Sequence, residues 1–192
     1  MRIIGLTGSI GMGKSATAEI FRSFGIPVHD SDKAVHDIYA GSAASLVAAA
    51  FPGAAGADGI DRRKLGDLVL NNPAEMKRLE ALVHPLVGAH RRAFVEKARA
   101  QGARLAVCDV PLLFETGLDR EMDAIVVVSA PFQVQKARVL ARPGMTEERF
   151  NAILQKQWPD EDKRRRAHVV IDTSRSVEDA REQISHLLRA LV

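Results

Sequence analysis

A single cysteine, Cys108, stands among the 192 residues, so no disulfide can close within the chain. It lies in the apolar run Leu105 to Val110, which reads as core and not as the setting of a nucleophile. No apolar run approaches the roughly 20 residues that a membrane span needs, and the chain opens straight into a strand-like segment with no signal peptide. These absences set the expectation of a cytoplasmic protein with no membrane partner. Charge of one sign is not in excess either: 27 Lys and Arg face 24 Asp and Glu, leaving +3. The one dense basic run, Lys163-Arg164-Arg165-Arg166, has no aromatic interleaving and follows the acids Asp160, Glu161 and Asp162. It therefore reads as a solvated helix face or as support for a phosphate lid, with no nucleic-acid partner. A dinucleotide fingerprint is missing, because Gly11-Met12-Gly13-Lys14-Ser15-Ala16 fails G-x-G-x-x-G at its last position. No Asn-Lys-x-Asp occurs and no Asp-x-x-Gly follows the third strand, which weighs against a guanine-nucleotide switch. No internal repeat is visible.

What is present begins at Gly8. Four residues later come Gly13-Lys14-Ser15, which fits G-x-x-x-x-G-K-[ST]. The apolar stretch Ile3 to Thr7 precedes it. Ala18, Ile20, Phe21 and Phe24 follow at helical spacing, with Gly25 as the expected stop. Strand, glycine loop and helix are the context in which backbone N–H groups and a helix N-terminus converge on a phosphate. Gly8, Gly11, Met12, Gly13, Ser15 and Ala16 are the expected nucleotide-binding backbone. Lys14 supplies a mobile, solvent-facing charge for the outer phosphates. The Ser15 hydroxyl is the expected ligand of Mg2+.

Strand-like runs fall at Arg2–Thr7, Ile26–His29, Arg104–Val110, Asp123–Ser129 and His168–Asp172, alternating with helical patterns. That order predicts an α/β fold with a parallel sheet. The interval from Asp32 to Gln101 holds no convincing strand and reads as an inserted helical subdomain. Asp61 is its expected cap for a helix to Leu70, Asn72-Pro73-Ala74-Glu75 a second helix start, and Pro52 to Gly59 a flexible loop. The second helical pattern runs to Ala100 with an interruption at His84-Pro85. Arg138, Arg142 and Pro143-Gly144 precede a helix start at Thr146-Glu147, in a region suited to closing over phosphates. Ser176-x-x-Asp179 opens the last helix.

The run HDSD ends the second strand. Its acids Asp30 and Asp32 are expected to point to opposite faces, with Asp32 the better candidate to take a proton from a hydroxyl and the other to cap a helix beginning near Lys33. Asp109, near the end of the third strand, is a candidate anchor for magnesium through water. Beyond it, Pro111 breaks the strand, and Leu112, Leu113 and Phe114 read as an apolar wall; the alternative is a buried turn with Glu115 facing solvent.

Taken in order, GLTGSIGMGKS, GIPVHDSD, HPLV, VPLLFE and ARPGMTEERFNAILQKQ resemble the dephospho-CoA kinase family over nearly the whole chain. The resemblance implies a three-layer α/β/α P-loop kinase fold with a five-stranded parallel sheet. It implies a core at about 1–31, 102–137 and 167–192, a helical substrate-binding subdomain at about 32–101, and a lid at about 138–166. It implies transfer of the ATP γ-phosphoryl to the ribose 3′-hydroxyl of dephospho-CoA, the last step of coenzyme A synthesis. The implied partners are the small molecules ATP and dephospho-CoA, with Mg2+ as cofactor, in a monomer or small homo-oligomer. Asp32 then looks like the acid that orients or deprotonates the hydroxyl, and Lys14 like the phosphate clamp. Arg138 and Arg142 look like lid arginines, Arg142 for transition-state charge. His84, Pro85, Leu113 and Gln157 look like lining of the acceptor site. Two positions depart from the pattern: Ala16 stands where a threonine is usual, and Asp172-Thr173 where an asparagine is common. Kinases of the same fold with another small-molecule or nucleoside-monophosphate acceptor, and a nucleotide-dependent binding module, remain as alternatives.

Overall fold

The computed structural model describes residues 1–41, 43–57, 59–70 and 72–191. Five strands form one sheet in the order β2-β5-β1-β6-β7: β1 (Arg2–Thr7), β2 (Val28–Asp30), β5 (Leu105–Asp109), β6 (Ala124–Ser129) and β7 (Val169–Asp172). β1 runs parallel to β5, with Leu6 opposite Asp109, and parallel to β6, with Thr7 opposite Val127. β7 continues the sheet beside β6 and ends with Asp172 opposite Ser129. The carboxyl ends of β1, β5, β6 and β7 thus lie along one edge, where an open α/β sheet takes its ligands.

Alternate residues of each strand face opposite ways. Ile4, Leu6, Leu105, Val107, Val126, Val128 and Ile171 form one buried face, packed against Ala18, Ile20 and Phe21 of α1 (Lys14–Ser23) and Ala180 and Ile184 of α9 (Val177–Leu191). The second face is closed differently. A Cβ on Gly5 would lie 2.9 Å from Leu113 and 2.8 Å from Met122, so the absence of a side chain lets those two seat on the β1 backbone. α8 (Asp160–Arg166) packs on β6 from this side. Its Lys163, read from the sequence as part of a solvated face, is wholly buried, with Nζ 2.8 Å from Glu115 Oε1. Glu115 is 12% exposed and also takes the Trp158 backbone N–H at 2.7 Å, so it does not face solvent as the buried-turn alternative has it. Phe114 stacks on Trp158 at 5.7 Å, and the Arg166 guanidinium lies over the indole at 4.9 Å. Lys163→Met strands the Glu115 carboxylate in a desolvated place, which costs about 3 kcal/mol of stability. Urea melts are expected to show that loss for Lys163→Met and partial recovery in Lys163→Met/Glu115→Gln. Equal melts for parent and single variant would contradict the pairing.

The chain divides into two compact units, Met1–His29 with Ala98–Val192, and Asp30–Lys97. The second is built from α2 (Ser31–Ala40), α3 (Ala44–Ala50), a short hairpin of β3 (Ala55–Gly56) and β4 (Gly59–Ile60), α4 (Arg62–Val69) and most of α5 (Pro73–Ala100). Ile38, Tyr39, Val47, Phe51, Leu65, Val69, Leu79 and Val83 make its own core. Asp61 caps α4 by accepting the Arg63 and Lys64 N–H groups at 3.0 and 3.1 Å, as the sequence suggests. Those N–H groups hold its carboxyl below the usual carboxylate range. Asn72 likewise accepts from Ala74 and Glu75.

Three expectations are corrected here. The described part of the Pro52–Gly59 stretch is a 3₁₀ turn at Pro52–Ala54 followed by the hairpin, with Asp58 outside the described residues. The helix expected to break at His84-Pro85 runs unbroken for 28 residues, because one proline removes a single hydrogen bond near mid-helix and the flanking turns carry on. The HDSD acids do not lie on opposite faces of a strand. On an extended chain residues two apart share a face, but β2 stops at Asp30 and helix α2 starts at Ser31.

Candidate nucleotide site

The Gly8–Ser15 loop sits between β1 and α1, as its spacing requires. Gly11 and Gly13 adopt φ of 78° and 87°, a region costly for other residues. Gly8 is needed for closeness: a Cβ there would lie 2.3 Å from Val128 Cγ2 and 2.8 Å from the Val128 carbonyl. The N–H groups of Lys14, Ser15 and Ala16 open the helix and have no acceptor within it, which is the anion-binding arrangement. Thr17 is the first to close a turn, donating to the Gly13 carbonyl at 3.0 Å.

Side chains grip the loop from outside. Gln135, on α6 (Phe132–Leu140), donates Nε2–H to the Ile10 carbonyl at 2.8 Å. Gln157 accepts the Ile10 N–H at 3.0 Å. The Thr173 hydroxyl donates to the Met12 carbonyl at 2.8 Å. The Met12 side chain is buried, with Sδ 3.1 Å from the Ala130 N–H. Each held carbonyl turns the far side of its planar peptide, the N–H of the next residue, away from the gripping group.

Lys14 Nζ lies 2.5 Å from Asp109 Oδ1, with the two side chains 15% and 4% exposed. This pair puts the lysine at the carboxyl end of β5, beside the loop. The Ser15 side chain is exposed at the helix start. Among the described residues no group of three or more His, Cys, Asp or Glu gathers as a metal cage. The donors at hand, one free hydroxyl and the nearby Asp109 carboxylate, suit a magnesium ion that takes its remaining ligands from phosphate and water.

Arg138 donates from Nη1 to the Thr173 hydroxyl at 3.2 Å and from Nη2 to the Thr173 carbonyl at 2.6 Å. Gly13, Ala16, Arg138, Thr173 and Arg175 line a cavity of about 270 Å³ with the N-terminal ends of α1 and α9. Arg142 lies exposed just past α6; its backbone bonds to Val139 and Met145, while its guanidinium has no partner among the described residues. The turn after it is braced: Gly144 has φ 71°, Arg149 donates to its carbonyl at 2.6 Å, and Thr146 caps α7 (Glu147–Leu154) as expected. A larger cavity of about 610 Å³ opens on another side of the loop, against Met12, Gln157, Trp158, Asp160, Arg164 and Asp172. It reaches neither Lys14 nor Ser15, and its two carboxylates do not favour a phosphate.

The remaining sequence-predicted residues fall elsewhere. Leu113 is fully buried against β1, where it packs as a core side chain. An apolar residue after a strand-ending proline reads the same in either role. Gln157 binds the loop backbone. His84 and Pro85 are exposed on α5, and Asp32 is exposed in the first turn of α2, its carboxylate unpartnered among the described residues. Asp30 is occupied as the α2 cap, accepting the Lys33 N–H at 3.0 Å. Gln135 and the Thr173 hydroxyl are missed by sequence reading. Their only signal is a polar residue at a buried position, which no local pattern marks.

A sequence profile of the family described as Dephospho-CoA kinase matches residues 2–179. A protein of Mesorhizobium japonicum named dephospho-CoA kinase is 55% identical over 191 residues, covering 100% of this chain and 97% of its own length. A crystal structure from Thermus thermophilus superposes with a TM-score of 0.85 at 37% identity, over 100% of this chain and 98% of that one. The dephospho-CoA kinase of Campylobacter jejuni, 24% identical with a TM-score of 0.70 over 99% and 97% of the two chains, shares the fold. With the phosphate loop, its lysine and its flanking arginine in place in unit one, this chain belongs to the dephospho-CoA kinase family.

Proposed function

We propose that the chain transfers the γ-phosphoryl group of ATP to the ribose 3′-hydroxyl of dephospho-CoA, giving CoA and ADP. The observation that carries this reading is the P-loop with Lys14 poised at its mouth, in a chain whose sequence matches the family along almost its full length. In the reaction the 3′-oxygen forms a bond to the γ-phosphorus as the bond to the β–γ bridging oxygen breaks. The hydroxyl proton passes to a carboxylate, and ADP leaves. Phosphoryl transfer asks the protein mainly for alignment and charge neutralisation.

Asp32 is our choice for the carboxylate. It is supported by its exposure and lack of a partner, while Asp30 is engaged as a cap. Lys14 leaves Asp109 for the outer phosphates, and the N–H groups at the start of α1 hold the inner ones. Ser15, and Asp109 through water, would hold a Mg2+ ion, which would supply neutralising charge to the phosphate oxygens. Arg138 bounds the cavity we assign to the nucleoside. Residues about 32–101, with His84 and Pro85, are assigned to the acceptor, and about 138–166 to the lid. The chemistry belongs in the cytoplasm, carried by a monomer or small homo-oligomer.

The decisive assay is ATP-dependent formation of CoA from dephospho-CoA, run beside nucleoside monophosphates and other hydroxyl acceptors. Turnover with dephospho-CoA far above every control is expected; a preference for another acceptor overturns the assignment. Arg142 is assigned to the transferring group, because it is an unpaired arginine on a braced turn. Arg142→Lys keeps the charge but loses the planar fork. It is expected to lower kcat about tenfold with little change in the KM for ATP. A rise confined to that KM marks Arg142 as a ground-state contact instead.

A further inference from the structure

Thr173 follows β7 and is buried, yet every polar atom it has is used. Its N–H donates to the Ser129 carbonyl at 2.9 Å, which fixes its own backbone to the end of β6. Its hydroxyl oxygen lies 2.8 Å from the Met12 carbonyl and 3.3 Å from that of Ser129. A hydroxyl has one proton, and the shorter contact places it on Met12. The lone pairs then receive Arg138 Nη1, while the Thr173 carbonyl receives Nη2. The side chain also stands against Gly13, where a Cβ would meet its three outer atoms at 3.0 to 3.2 Å.

The Met12–Gly13 peptide is trans and planar. With its carbonyl drawn to Thr173, its N–H points the opposite way, away from Thr173. We propose that Thr173 is a positioning residue of the nucleotide site: one hydroxyl turns the Gly13 N–H towards the phosphate and holds the Arg138 guanidinium at the cavity beside it. The loop glycine and the arginine, which lie more than a hundred residues apart in the chain, are thereby set by a single group. Gly13, at φ 87°, has no side chain of its own to hold its peptide, and Arg138 has four flexible torsions to lose on binding. Fixing both in the free protein removes that cost from nucleotide binding.

The inference rests on the reading of this loop as the ATP site, and its test does not need the acceptor. ATP affinity is measured by calorimetry for the parent, T173V, R138A and the double variant, with kcat for CoA formation alongside. T173V keeps the shape and removes both roles of the hydroxyl. It is expected to weaken ATP about tenfold alone and by less than that when added to R138A, because the part of its effect that runs through Arg138 is then already gone while the part that runs through Gly13 remains. T173S restores parent affinity. T173A replaces T173V in the same cycle should valine not fold. Losses that multiply in the double variant, or a T173V that melts earlier yet binds ATP as the parent does, overturn the proposal. A parent that binds ATP but makes no CoA defeats the acceptor assignment and leaves the cycle readable.

Discussion

Asp32→Asn is expected to bind ATP and dephospho-CoA within a few-fold of the parent and to lose roughly two to four decades of kcat. The amide keeps the size and a hydrogen-bonding oxygen but cannot take a proton or carry the charge that orients a ribose hydroxyl. Asp30→Asn is the control. Asp30 accepts the Lys33 N–H as the cap of α2, and asparagine caps about as well as aspartate. It should therefore leave both turnover and melting temperature close to those of the parent. Calorimetric binding of each ligand beside steady-state turnover reads all of this. An inactive Asp30→Asn with an active Asp32→Asn moves the base to Asp30. Full activity in both removes the carboxylate from the mechanism and leaves alignment by arginine, lysine and magnesium as sufficient.

Lys14→Ala carries the second large effect, a fall in kcat on the order of a thousandfold. The sequence describes a lysine facing solvent, whose loss the fold would ignore. The structure places it on Asp109, whose side chain is 4% exposed, so the variant also leaves a carboxylate desolvated and without that cation. A stability loss of about 3 kcal/mol is expected to accompany the loss of turnover. Lys14→Ala/Asp109→Asn separates the two effects. It should regain much of the stability, because no charge is then stranded, and none of the turnover, because the phosphates still lack their cation. Near-normal turnover in the folded single variant refutes the phosphate role. Recovery of turnover in the double variant means that the first defect was structural.

The parts of the site legible in the sequence are those whose cause is local. Gly11 and Gly13 need their left-handed φ within the loop itself, Gly25 ends α1 with φ 75°, and Asp61, Asn72 and Thr146 cap helices that begin one residue later. Each is a matter of a few consecutive residues. What was not legible depends on partners far along the chain. Gln157 meets Ile10 across 147 positions and Thr173 meets Met12 across 161. Lys163 looks like its three arginine neighbours in sequence, and only the placement of Glu115 beneath α8 makes it a buried ion. For Leu113, hydrophobicity alone does not say which surface the side chain covers, and its seat on Gly5 lies more than a hundred positions away in the chain.

The pairing of β1 bears on how the chain is made. β1 is the middle strand, but its neighbours are β5, with Arg2 opposite Leu105, and β6, with Ile4 opposite Ala124. During synthesis the first apolar strand leaves the ribosome about a hundred residues before either edge can be satisfied. At some 5–20 residues per second that is a wait of roughly 5–20 seconds with both edges open. Asp30–Lys97, by contrast, has its own core and its own local caps, and it is complete before β5 appears. The nascent chain therefore has a segment able to condense early and a strand that must wait. That strand, and the glycine loop attached to it, is the part for which a chaperone that shelters extended apolar segments has most to offer.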